Sequence, residues 1–156
     1  MTAERATLEL VRTPRICRMM QVKPEAIDLL LDQAIAVACE VIEGEAVGLA
    51  VVDPERALSV VVDVEFRGRG FGASVARKAL SIAFAKDLPD VIARARHGSL
   101  GARLAAQLGF RETRRSKTEV FLRIGRDQWN DAIRPSTSRG AFARAWEWIR
   151  KHAKRA

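Results

Sequence analysis

Tyrosine is absent from the 156-residue chain, and cysteine and histidine each occur only twice. Cys17 and Cys39 match no metal-ligand spacing, so we expect no metal site. Cys39 lies in the apolar run Ala34–Cys39, which is typical of a buried, unreactive thiol. Two isolated cysteines, together with the lack of a signal-peptide pattern, predict a reducing cytoplasmic location.

Long apolar runs are also missing, and none approaches the ~20 residues that span a bilayer, so no membrane segment is expected. A hydrophobic content of 48% and a chain of this length are ordinary for one globular domain with a real core. The charge is unbalanced, because 27 Lys and Arg face 19 Asp and Glu, a net charge of +8. This balance favours a nucleotide cofactor, nucleic acid or an acidic surface as partner, and a solvated basic face is the alternative.

The stretch Val60–Ala85 organises the rest of the chain. Val60–Val64 has the composition of a buried strand, Arg67–Gly72 holds three glycines, and Ala73–Ala85 has helical apolar spacing. A strand, a glycine turn and a helix start aim backbone N–H groups at a phosphate. A tight turn that merely needs glycine explains the same loop. No Gly-Lys-Ser/Thr motif closes the loop, which excludes the phosphate-binding loop of the nucleoside triphosphatases.

The remaining patterns predict an ordered series of short elements. Before the organising stretch they are a strand, a helix or loop, a helix and three antiparallel strands: Ala6–Val11, Arg12–Val22, Lys23–Asp32, Ala34–Ile42, Ala46–Val52 and Ala57–Val64. After it come a strand parallel to Val60–Val64, a helix that ends at Gly109, and a closing hairpin: Val91–Arg96, Ser99–Leu108, Phe110–Arg114 and Thr118–Ile124.

The last thirty residues differ in character. Asp127–Ile133 predicts a short helix, and Gly140–Arg155 predicts a basic helix with one apolar stripe. We therefore expect a domain over residues 1–125 and a helical extension over residues 126–156. The extension is expected to pack on the domain or on a second subunit of a homodimer, and a basic arm that contacts nucleic acid is the alternative.

The element order resembles that of the GNAT N-acetyltransferases over roughly Thr7–Ile124. Their loop motif, Arg/Gln-x-x-Gly-x-Gly/Ala after the fourth strand, is matched by Arg67, Gly70 and Gly72. Their Leu-Tyr-x-x-x-Gly-Phe signature is matched in part by Leu104–Phe110. The resemblance implies an α+β fold, within the broad α/β class. Its central mixed, mostly antiparallel sheet has splayed fourth and fifth strands, and a C-terminal helical extension follows here.

The resemblance also implies an activity, the transfer of acetyl from acetyl-CoA, or of another acyl group from its CoA ester, to a primary amine by direct attack. It implies no metal. A small amine, a protein lysine or N-terminus, and aminoacyl-tRNA all remain open as acceptor, and the basic surface admits nucleic acid or tRNA as a partner. The implied cofactor contacts are backbone groups of Val62, Asp63, Val64, Arg67, Gly68, Arg69, Gly70, Phe71, Gly72 and Ala73.

Two positions depart from the family pattern. Ala105 stands where relatives have the tyrosine that protonates the leaving thiolate, and Gly98 replaces an asparagine that contacts pantetheine. The catalytic candidates are therefore His97, Ser99 and Glu65, with Glu55 and Asp63 as further possible bases. Each also has a structural explanation, such as helix capping for Ser99. A weakly catalytic acyl-CoA-binding protein, or a nucleic-acid-binding protein on the same scaffold, is the alternative function.

Overall fold

Two three-stranded antiparallel sheets meet in the computed structural model, which describes residues 13–134 and Arg150. The first sheet contains β1 (Ala36–Ile42), β2 (Glu45–Val52) and β3 (Leu58–Val62), in that order. The second has the order β4-β6-β5, with β4 at Asp90–Arg96, β5 at Arg111–Arg115 and β6 at Glu119–Gly125. A parallel bridge between Ala57 and Ile92 brings β3 beside β4.

Five helices accompany these strands in the described residues: α1 (Pro14–Met20), α2 (Pro24–Gln33), α3 (Phe71–Ala85), α4 (Leu100–Gln107) and α5 (Arg126–Ile133). Proline opens α1 and α2, where its missing N–H has no intrahelical role. Thr13 caps α1, so the segment that was predicted as a helix or a loop is a helix. Among the described residues, no helix is long and apolar enough to cross a bilayer.

The core has two parts, one on each side of the first sheet. The larger part lies between both sheets and α3, α4 and α5, and Phe84 stacks on Trp129 there with ring centroids 5.9 Å apart. The smaller part holds α1 and α2 against the opposite face of the first sheet, around Ile16, Ile27 and Leu49. Within the described part of the chain, the second sheet is therefore packed on one face only.

The prediction of an α+β fold with a splayed strand pair is confirmed. The splay is wide enough to divide the expected central sheet into two sheets joined at the single bridge. The prediction of a buried strand over Val60–Val64 was wrong in two respects, the residue at which the strand ends and the extent to which the strand is buried. The strand stops at Val62, β3 is only partly buried beside the diverging β4, and Val64 is 71% exposed. The Asp63 side chain accepts the Glu65 N–H and starts a 3₁₀ turn there.

Two predicted elements, the strand Ala6–Val11 and the helix Gly140–Arg155, lie outside the described residues. The division of the chain at residue 125 stays a prediction. The helix expected over Asp127–Ile133 is present as α5, and Trp129 on it is 4% exposed within the larger core.

Candidate active site

A cleft opens where β3 and β4 diverge beyond the Ala57–Ile92 bridge. Its volume is about 770 Å³. The two strands form its sides, while α4 and the glycine loop complete the wall. The inner lining is small and apolar, and it includes Val60, Val62, Ala93, Ala95, Leu104, Ala105 and Leu108. Such a cleft suits an elongated ligand with an apolar or amide-containing arm.

The backbone of β3 presents hydrogen-bonding groups to this cleft. The Asp63 N–H donates to the Val47 carbonyl at 2.8 Å, so it points toward β2. Because successive residues of a strand alternate, the N–H and C=O groups of Val60 and Val62 point away from β2 and toward β4. Arg67 Nε donates to the Val62 carbonyl at 3.1 Å, which agrees with that direction. Of the predicted pantetheine contacts, Val62 thus faces the cleft, whereas Asp63 is paired with β2.

The glycine loop places an unpaired helix end at the mouth of the cleft. Gly68 and Gly70 have φ of +75° and +84°, a left-handed conformation that glycine adopts without strain. The Ser74 N–H donates to the Gly70 carbonyl, so the N–H groups of Phe71, Gly72 and Ala73 precede the first helical bond of α3. These donors at the start of a 15-residue helix form a favourable site for an anion.

Positive side chains surround the same mouth. Arg67, Arg94 and Arg103 line the cleft. Among the described residues, no carboxylate oxygen lies within 4.0 Å of the guanidinium groups of Arg67, Arg69 or Arg103. Arg69 lies over the Phe66 ring, 5.4 Å from its centroid. Arginines without carboxylate partners beside free N–H groups match the chemistry of a pyrophosphate.

A second cavity of about 950 Å³ lies on the α1 side of β3. It shares Met19, Val62 and Arg67 with the cleft, so the two spaces adjoin at the end of β3. Arg15 crosses its wall and contacts three carboxylates. These are Asp63 at 2.7 Å, Glu45 at 2.5 Å and Glu65 at 3.6 Å.

These contacts argue against Asp63 as the catalytic base. The hydrogen bond from Arg15, followed by the one from the Glu65 N–H, lowers the pKa of Asp63. A carboxylate with a lowered pKa is a weak base, so Asp63 suits the structural role of anchoring Arg15. The side chain of Glu65 is 76% exposed and lines the second cavity, where water and an amine can reach it.

The three catalytic candidates are not brought together. Glu65 lines the second cavity, but His97 and Ser99 line neither that cavity nor the cleft. The His97 Nε2–H donates to the Ser116 carbonyl at 3.1 Å, which holds the ring against the β5–β6 turn. The Ser99 hydroxyl accepts the Ala102 N–H at 3.1 Å and caps α4. Their catalytic roles stay predictions.

Some residues of the site carried no functional signal in the sequence. Arg15 meets Asp63 across 48 residues, and no spacing rule connects such a pair. Phe66 contacts both Arg15 and Arg69, whose guanidinium carbons lie 5.5 and 5.4 Å from its ring centroid. Arg103 on α4 joins the cleft only because the α4 helix packs beside β4. Residues 13–134 contain no group of three or more His, Cys, Asp or Glu that could hold a metal ion.

No protein-family model matches the sequence, and no curated protein matches it. Solved structures do match its fold. A ribosomal-protein-alanine N-acetyltransferase from Brucella melitensis has a TM-score of 0.59 at 22% identity, over 78% of this chain and 93% of that one. An Escherichia coli enzyme, also a ribosomal-protein alanine N-acetyltransferase, has a TM-score of 0.60 at 13% identity, over 72% and 86%.

A third structure, a GNAT family acetyltransferase from Elizabethkingia anophelis with acetyl-CoA bound, has a TM-score of 0.55 at 18% identity. That match covers 69% of this chain and 87% of the other. At such identities the similarity concerns the fold rather than the activity. The chain has the fold of the GNAT acetyltransferases.

Proposed function

We propose that this protein is an acyl-CoA-dependent N-acetyltransferase that transfers acetyl from acetyl-CoA to a primary amine by direct attack. The observation that carries the proposal is the cleft between β3 and β4 with the N-terminus of α3 at its mouth. An anion site and an adjoining strand edge suit the two ends of one ligand, a pyrophosphate and a pantetheine arm. The bound acetyl-CoA in a structure of the same fold supports this assignment.

The chain offers separate groups to each part of acetyl-CoA. The N–H groups of Phe71, Gly72 and Ala73 and the charges of Arg67 and Arg69 would bind the pyrophosphate. The outward-facing N–H and C=O groups of Val60 and the C=O group of Val62 would pair with pantetheine in the manner of an added strand. In the structure, the Arg67 side chain donates a hydrogen bond to the Val62 carbonyl. Rotation of this side chain toward the phosphate would free the carbonyl to accept from pantetheine.

The reaction requires an uncharged amine beside the thioester carbonyl. The amine nitrogen forms a bond to the carbonyl carbon, the carbon–sulfur bond breaks, and CoA leaves as a thiolate. The N–H of Val62 would polarise the carbonyl oxygen as charge develops on it. The proton lost by the amine would pass through water to Glu65. Because thiols ionise near pH 8.5, by analogy with cysteine, the thiolate can leave without a dedicated acid. That agrees with Ala105 in the cleft wall.

The acceptor would approach from the second cavity. That cavity meets the cleft at Val62, where the thioester carbonyl would lie. The second cavity is lined by both carboxylates and guanidinium groups. Carboxylates suit a primary amine as the acceptor, but the mixed charge does not select among small amines, lysine side chains and N-termini. The C-terminal extension over residues 126–156 would pack on the domain or on a second subunit in a cytoplasmic homodimer. The contact of Trp129 with Phe84 supports the first arrangement.

Calorimetry with acetyl-CoA tests the cofactor half of the proposal. Gly70→Glu should abolish binding, because it places a bulky anion at the loop and strains a residue with φ of +84°. Gly44→Glu is the matched control. Gly44, between β1 and β2, also has a positive φ, +81°, with open space around an added Cβ, and it does not line the cleft, so affinity should change little. Equal binding by wild type and Gly70→Glu would show that the pyrophosphate lies elsewhere.

Release of CoA thiol over a panel of amines tests the transfer half, with mass spectrometry to locate the acetyl group. The panel should contain small amines, peptides with a free N-terminus and lysine peptides. Binding without turnover on any of them would favour a weakly catalytic acyl-CoA-binding protein. The lowered pKa of Asp63 and the apolar Ala105 are the observations that favour this second function. Absence of binding would contradict both.

A further inference from the structure

The open face of the second sheet is rich in arginine. Residues directly opposite in an antiparallel pair share a face. The register sets Arg123 between Ile92 and Arg111, and Phe121 between Arg94 and Arg114. Arg96 lies opposite Glu119 on the same face. We call this surface the arginine face, and its members are Arg94, Arg96, Arg111, Arg114, Phe121 and Arg123.

The arginine face keeps an excess of positive charge. All five of its arginines are exposed. Arg94 pairs with Glu119 at 3.4 Å, and Arg123 pairs with Asp90 at 2.6 Å. Across residues 13–134, no carboxylate oxygen lies within 4.0 Å of the guanidinium groups of Arg96, Arg111 or Arg114. Three arginines on one flat surface are therefore available to an anionic partner.

A stacked pair stands at the centre of this surface. The Arg114 guanidinium lies over the Phe121 ring, 4.1 Å from its centroid. The ring holds the guanidinium in place through a cation–π contact. Nucleic-acid bases stack on aromatic rings and on arginine planes alike. An acidic peptide could use the charges of the face, but Asp and Glu side chains have no aromatic ring to stack on this pair.

The arginine face lies on the same side of the molecule as the second cavity. Ile92 on this face pairs in parallel with Ala57, so their side chains share a side. Alternation along β3 puts Val61 on that side too, and Val61 packs against the core beneath α1 and α2. A polymer bound to the arginine face would therefore lie beside the α1 side of β3, where the second cavity opens.

We propose that the arginine face binds single-stranded nucleic acid. Arg96, Arg111 and Arg114 contact phosphates, and an unpaired base stacks on the Arg114–Phe121 pair. The assignment does not depend on acyl transfer, because none of these residues lines the second cavity and only Arg94 of the face borders the cleft. It names a surface different from the basic C-terminal segment.

Fluorescence anisotropy tests the proposal with a labelled single-stranded RNA of about 12 nucleotides, the matching DNA and the RNA duplex. Each is measured at roughly 50 and 200 mM salt, because phosphate contacts release counterions. The triple variant Arg96→Gln, Arg111→Gln, Arg114→Gln should lower affinity for the single strands about tenfold or more. Its salt slope should fall by about 2, since each lost contact to a single strand removes about 0.7.

The matched control is a second triple variant, Lys23→Gln, Arg77→Gln, Arg134→Gln. It removes the same amount of positive charge from three exposed residues on other surfaces. Its affinity should stay within about threefold of wild type, and an equal loss in both triples would overturn the proposal by showing that net charge alone binds RNA. The double variant Arg96→Gln, Arg111→Gln leaves the Arg114–Phe121 pair intact. If the triple variant proves unstable in thermal unfolding, the double variant replaces it in the test and should also bind the single strands more weakly than wild type.

Phe121→Leu isolates the stacking step, and it should remove the preference for single strand over duplex while keeping most of the salt slope. Equal wild-type binding of duplex and single strand would contradict stacking. Competition by a poly-glutamate peptide as effective as by RNA would assign the face to an acidic protein instead. Absence of RNA binding at the lower salt concentration would show that the face is merely solvated.

Discussion

Arg15 on α1 donates from its Nε to Asp63 at the end of β3, with a nitrogen-to-oxygen distance of 2.7 Å. The same guanidinium reaches Glu45 at the start of β2 and lies over Phe66 beside the glycine loop. One side chain therefore ties the first helix to the strand end at which the cleft and the second cavity meet. Under the proposed function, this arrangement would couple the acceptor side of the site to its cofactor side.

Removing that tie should loosen both sides. We expect Arg15→Met to lower the melting temperature and to weaken acetyl-CoA binding, because Asp63 loses its hydrogen-bonded cation and Phe66 loses one of its ring contacts. Arg18→Met, on the same helix and exposed, is the control and should change neither. NMR titration should show the pKa of Asp63 rising toward its ordinary value in Arg15→Met only. An unchanged titration would mean that the pair does not persist in solution.

Glu40 links β1 to α3 and should make stability depend on pH. Burial raises the pKa of Glu40, but hydrogen bonds from Lys78, at 2.8 Å, and from the Ser74 hydroxyl outweigh it, so the pKa is lowered. A group whose folded pKa is lowered adds stability above its unfolded pKa and loses it as the pH falls. Glu40→Gln should therefore cost about 1 kcal/mol at pH 7.

The cost of Glu40→Gln should shrink as the pH falls below about 4.3, the ordinary glutamate value. Urea denaturation at a series of pH values measures it. Glu55→Gln, in the exposed turn after β2, is the control and should show no such trend. A cost that stays constant down to pH 3 would exclude the ion pair as its source.

Ser99 has a local role that stability measurements can separate from catalysis. Ser99→Ala removes the side-chain cap of α4, which should cost about 1 kcal/mol in urea denaturation. Ser81→Ala, in the interior of α3 and exposed, should be neutral or slightly stabilising. With acetyl-CoA and a working amine, kcat of Ser99→Ala should match that of wild type. A large fall in kcat without loss of stability would instead support the role of Ser99 predicted from the sequence.

Glu65 is the proton acceptor in the proposed reaction, because among the three catalytic candidates it is the one that lines the second cavity. Glu65→Gln should lower kcat about tenfold or more and leave KM for acetyl-CoA nearly unchanged. Glu45→Gln is the control, because Glu45 also touches Arg15 and lines the same cavity. An equal loss in both would indicate an effect through Arg15. A comparable loss in His97→Gln would require the His97 ring to leave the Ser116 carbonyl during the reaction.

Most of the fold follows from local signals. Proline at the start of α1 and α2, Ser99 before α4 and Gly109 after it act within one turn of their own position, so sequence spacing is enough to locate them. The glycine loop is equally local, since Gly68 and Gly70 adopt positive φ for their own backbone. The end of β3 was misplaced because Val64 has the composition of a strand. The hydrogen bond of Asp63 to the Glu65 N–H ends that strand.

By itself, the sequence determined most of the element order and the position of the glycine loop, because each depends on periodicity or on the dihedral freedom of single residues. The α+β class followed from the family resemblance that this element order carries. Only the tertiary structure decided where the strands part and which charges meet. Arg15 reaches Asp63 across 48 residues, and Arg94 and Arg114 share a face through Phe121. Sheet register and helix packing create those contacts, and neither leaves a repeating signal in the order of the residues.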